Sequence, residues 1–169
     1  MDQDIKIFGE AEHHEDLEVV VAETEALRES GDLDRAKDLG RELAALAVKS
    51  PELNCLAESF GVKLTPAREH QLQVLMVFSG QHALQEILSQ LLAEAAVTAM
   101  NNYLINRSRE FWDTISDGSA FTQYLLAQSD GMGEVFARVC GQEDNVDLHK
   151  LGATVFGAAH ELVTAKWVC

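Results

Sequence analysis

The chain has 169 residues, 28 acidic against 13 basic side chains, and a formal net charge of −15. A surface this acidic repels phosphate backbones and anionic lipid, and no basic patch interrupts it, so nucleic acid and membrane are excluded as expected partners. Hydrophobic residues make up 47% of the chain, enough to bury a core, which excludes wholesale disorder.

The opening residues carry no basic start, apolar signal core or small-residue cleavage site, and the expected location is cytoplasmic. The longest nearly apolar stretch, residues 91–100, contains Glu94 and falls short of the roughly 20 residues a membrane span needs. Cys55, Cys140 and Cys169 are odd in number and far apart, a pattern that predicts free thiols rather than a disulfide framework or a zinc ribbon.

Two prolines and little alternation of apolar with polar residues leave little material for a sheet, so the predicted fold is all-α. The expected architecture is a single-domain helical bundle of six or seven helices around one long central helix. Residues 1–15 are expected to form a flexible acidic N-terminus and 16–169 the helical domain.

Residues 16–49 predict a helical hairpin. Leu17, Val20, Val21, Thr24 and Leu27 stripe its first helix, and Leu33, Ala36, Leu39, Leu43, Leu46 and Ala47 its second. The turn from Gly31 to Ala36 resembles that of a tetratricopeptide repeat, in which glycine ends one helix and alanine lets the next pack closely. No second copy follows at about 34 residues, so a repeat array and its peptide binding are not implied.

Ser50 before Pro51 and Thr65 before Pro66 each read as a capping hydroxyl followed by proline at the first helical position. Residues 65–116 then predict a helix to Ser79, an interruption at Ser79-Gly80 and a central helix of about 30 residues, about 45 Å long at 1.5 Å per residue. From Val97 onward that helix reads as apolar nearly all round, which makes Val97, Met100 and Leu104 the expected interface of a homodimer. Residues 119–167 predict two short helices and a C-terminal helix packing along the central one, with Gly152 permitting close approach.

Three groups of residues carry possible chemistry. A bundle-type dimetal site needs Glu-x-x-His pairs, and only Glu10 and His13 fit that spacing, in the acidic stretch that also holds Glu12, His14, Glu15 and Asp16. His82 and Glu86, four apart on a helix, put an imidazole and a carboxylate on one face, the arrangement of a metal pair, with no third ligand evident. His149 and His160 are about 16 Å apart along one helix and do not share an ion. Asn101, Asn102, Tyr103, Arg107, Arg109 and Trp112 form the most ligand-like surface, arginines for an anion beside an aromatic wall. Neither a nucleotide loop nor a nucleophile motif occurs, and no cofactor is expected.

The leading expectation is therefore a non-catalytic interaction or scaffold protein, homodimeric and with an unidentified protein partner. Two alternatives stay open. One is a small-molecule or metal-binding helical protein, including an enzyme, that uses the central helix; the other is a regulator binding another protein through the acidic hairpin.

Overall fold

The structure, a computed structural model, describes residues 10–48, 51–127 and 131–168, with side chains from residue 17 onward. Among these residues every regular element is helical. In chain order they are α1 (Glu10–Glu29), α2 (Asp32–Val48), α3 (Pro51–Ser59), α4 (Pro66–Ile87), α5 (Gln90–Arg107), α6 (Arg109–Ile115), a single 3₁₀ turn (Ser119–Phe121), α7 (Thr122–Leu126), α8 (Met132–Val139) and α9 (Val146–Val168). The chain contains two compact units, residues 1–35 and 36–169, and the boundary falls inside α2.

In the first unit, α1 ends at a turn whose geometry the sequence makes plain. Gly31 adopts φ +83°, a left-handed conformation that favours glycine. The Ser30 hydroxyl donates to Asp32 Oδ2 at 2.9 Å at the start of α2. Leu17, Val19, Val20 and Val21 are all exposed on α1.

The second unit is built around α4. Thr65 Oγ1 accepts from the Arg68 amide at 3.3 Å, with Pro66 in the first turn, so this helix starts as its capping residues direct. From Val74 to Gly80 every residue is buried, two turns enclosed on all sides. α9 packs along α4, and α8 packs against α9. The buried stripe of α9, Leu148, Leu151, Val155, Ala159 and Val163, recurs at three- and four-residue spacing, as an amphipathic helix on a core requires.

The central region departs from expectation in three ways. No interruption occurs at Ser79-Gly80: Ser79 Oγ donates to the Leu75 carbonyl at 2.7 Å, which satisfies the buried hydroxyl within the helix. Gly80 lets Leu43 and Met100 approach closely. The break comes instead at Leu88 and Ser89, both in extended conformation, and a second falls at Ser108, so the long central helix is three helices. Nine α-helices thus replace the expected six or seven among the described residues. Lastly, the helix enclosed on all sides is α4 and not the segment after Val97. α5 buries one face, Leu92, Ala96, Ala99, Met100 and Leu104, and leaves Asn102 and Asn106 exposed.

Gly152 does permit a close approach, but to α8 and not to a central helix. A Cβ at Gly152 would stand 2.7 Å from Phe136 Cβ, and one at Gly133 would collide with the backbone carbonyl of His149. The two backbones therefore touch where α8 crosses α9. Gly157, also in α9, faces open space. Gly133→Ala should lower stability by about 1–3 kcal/mol through overpacking, whereas Gly157→Ala should raise it by about 0.5–1 kcal/mol through helix propensity. Urea denaturation of the two variants checks this, and equal effects would contradict the proposed crossing.

Candidate metal centre

His82 and Glu86 lie in the last two turns of α4, one helical turn apart, where the helix emerges from the enclosed core. His160 lies on α9, four residues after Phe156 and next to the buried Ala159. Because α9 packs along α4, His160 arrives opposite His82 across 78 residues of sequence. His82 Nδ1 and His160 Nε2 are 3.0 Å apart, His160 Nε2 and Glu86 Oε2 are 3.1 Å apart, and His82 Nδ1 and Glu86 Oε2 are 3.7 Å apart. Among the described residues this is the one group of three metal-ligating side chains whose ligand atoms converge.

Hydrogen bonding sets which nitrogen of His160 faces the group. A carbonyl oxygen only accepts, so the 2.9 Å contact between His160 Nδ1 and the Phe156 carbonyl requires a hydrogen on Nδ1. In the neutral ring Nε2 is then left with a lone pair, aimed at His82 and Glu86. This is the outer contact that holds a metal-ligating histidine in the right tautomer. His82 Nδ1–H can donate to that lone pair, but Glu86 Oε2 then meets the same nitrogen acceptor to acceptor. A cation between them, a proton or a metal ion, removes the conflict.

The dimensions suit a metal. Edges of 3.0, 3.1 and 3.7 Å place all three ligand atoms about 1.9 Å from a common point, close to zinc–nitrogen and zinc–oxygen bonds of about 2.0–2.2 Å. Two imidazoles and a carboxylate are a donor set for zinc, iron, cobalt or nickel rather than for calcium or magnesium. Aromatic rings adjoin both histidines. The Phe156 ring lies 4.5 Å from His160 and 5.3 Å from His82, and Phe78 lies 6.0 Å from His82.

The other sequence-predicted residues are not gathered in this way. Asn101 accepts from Gln81 Nε2 at 3.1 Å, Arg107 stands over the Tyr103 ring at 5.7 Å, and Arg109 pairs with Asp113 at 3.1 Å. Asn102 is exposed and Trp112 half-buried, and the helix break at Ser108 separates Arg107 from Arg109. The arginines are thus committed to neighbours one turn away. Met100 and Leu104 are wholly buried within this chain and offer a second subunit no surface, a correction to the expected interface. Val97 is half-buried and lines an open groove of about 530 Å³ with Gln85, Gln90, Ala93, Glu94 and Thr98. His149 Nε2 contacts the Glu143 carbonyl, apart from His160. The side chains of Glu10, Glu12, His13, His14, Glu15 and Asp16, together with Ser50 and Cys169, lie outside the described residues.

Two further titratable groups are displaced by burial. The Tyr124 phenol has no hydrogen-bond partner among the described residues, and burial, with the nearby Cys140, pushes its pKa above the ordinary range. Burial pushes the Cys140 thiol up to about 11, with the Arg68 guanidinium partly opposing it.

No family model, curated protein or solved structure matches the chain. No described helix is long and apolar enough to cross a membrane.

A thiol raised in the folded state stabilises the fold fully below its unfolded pKa of about 8.5, and that contribution is lost as pH rises towards 11. At pH of about 9, where unfolded thiols are already reactive, iodoacetamide should therefore label the exposed Cys55 before Cys140. Peptide mapping over time reads the order, and prompt labelling of the half-buried Cys140 in the folded protein would contradict its raised pKa.

Proposed function

We propose that the protein is a divalent-metal-binding helical protein, with His82, Glu86 and His160 as its ligands. The observation that carries this reading is the arrival of His160 Nε2 beside the His82–Glu86 pair, which supplies the third donor. An ion held there joins the last turns of α4 to α9, so binding couples to the stability of the helix pair.

Zinc added to the metal-free full chain should bind one ion per chain by isothermal titration calorimetry. At a free concentration 100 times the dissociation constant it should stabilise the fold by about 2.7 kcal/mol, about 5–10 °C in melting temperature. His160→Ala should weaken binding by at least about 100-fold, more than the loss of an outer hydrogen-bond partner typically costs. Unchanged zinc affinity in that variant, with helical circular dichroism retained, would retire the proposal.

A second reading, an interaction protein or homodimer, is favoured by the apolar side chains exposed on α1. Substituting Leu17 and Val21 with lysine should then reduce an assembly mass seen by native mass spectrometry of the full chain. A monomeric wild-type mass would count against self-association.

A further inference from the structure

Three protein ligands are fewer than a structural zinc site uses, and the surroundings of this one show where a fourth would come from. We propose that an ion held by His82, Glu86 and His160 keeps a coordination position open to solvent and accepts a monodentate anion there. This rests on the metal-binding reading above.

The geometry supplies the first argument. The three donors lie about 1.9 Å from their common centre, so bonds of about 2.0–2.2 Å set the ion about 0.6–1 Å out of their plane. A tetrahedral ion so placed would have all three protein ligands on one side and its fourth site pointing away from them.

The surroundings supply the second argument. The nearest rings, Phe78 and Phe156, present only carbon to the histidines, and among the described residues no fourth histidine, cysteine or carboxylate joins the cluster. The side chains of His82, Glu86 and His160 are 35%, 62% and 21% exposed, so the cluster lies at the protein surface and not in the closed core. Sites closed by four protein ligands are structural, whereas three ligands plus an exchangeable water is the arrangement that admits an outside ligand.

Charge supplies the third argument and selects an anion. A divalent ion with one carboxylate ligand leaves a net local charge of +1, within bonding distance of the open position. The −15 charge of the chain is spread over its surface and is screened over about 8–10 Å at ordinary ionic strength. The local term therefore dominates at the ion. An azide, an acetate or the carboxylate of a small metabolite has the required single anionic donor.

Cobalt(II) in place of zinc makes the coordination visible through its d–d absorption. The full chain is loaded with cobalt(II) and titrated with sodium azide. A cobalt band that shifts saturably with azide, and that zinc displaces, is the expected result. A cobalt band that azide leaves unchanged means a closed site, which overturns this inference while the metal-binding reading stands. Absence of any cobalt band means that the metal-binding reading has failed, and this inference with it. Glu86→Gln alters an exposed side chain and should leave the helical circular dichroism intact while removing the azide-sensitive band. Persistence of that band in the variant would assign it to other residues and overturn the proposal.

Discussion

Enclosure of α4 is the constraint on which the second unit depends. Seven consecutive residues, from Val74 to Gly80, are buried, so no charged side chain is tolerated there and the one hydroxyl present must bond within its own helix. Neighbouring helices have to cover every side of those two turns. α9 packs along α4 and carries its own buried stripe, while Leu43 of α2 and Met100 of α5 meet α4 at Gly80. Small residues set the distances: Gly80 admits Leu43 and Met100, and Gly133 and Gly152 bring the α8 and α9 backbones into contact.

The polar cluster is a consequence of that packing. One turn beyond the enclosed segment α4 reaches the surface, and His82 and then Glu86 occupy the face that still looks towards α9. His160 follows the buried Ala159 on the flank of α9, so the register that buries Ala159 and Val163 also carries His160 to His82. The Phe156 carbonyl then fixes the tautomer of His160. Phe78, Phe121 and Tyr124 continue the aromatic layer beneath, with Phe78 stacked on Tyr124 at 5.2 Å. The group thus sits where a rigid core meets solvent, a place that combines fixed ligand positions with access.

Much of the local structure was legible in the residues. Thr65-Pro66 marks the start of α4, and Gly31, Gly61, Gly118 and Gly141 all end up with positive φ at turns between helices. The pairing of His82 with Glu86 follows from helical spacing alone. The break between α4 and α5 was not legible. Ser79-Gly80 looks more like an interruption than Leu88-Ser89 does, because serine and glycine disfavour helix when exposed. Burial reverses that preference: a serine bonded to its own helix and a glycine under a neighbour's side chain cost little there. The apolar character of Met100 and Leu104 is likewise ambiguous in sequence, since a helix face covered by its own chain and one covered by another copy are composed alike.

The sequence by itself determined the all-helical class, the strong negative charge, the proline-marked starts of α3 and α4 and one pair of candidate ligands, because capping, proline geometry and helical periodicity act over a few residues. Only the tertiary structure decided that His160 is the third member and that the arginines of α5 and α6 do not converge. The first outcome depends on the register between residues 78 apart, set by the packing of α9 along α4 and by no local pattern. The second follows from the helix break at Ser108, which leaves Arg107 over Tyr103 and Arg109 paired with Asp113.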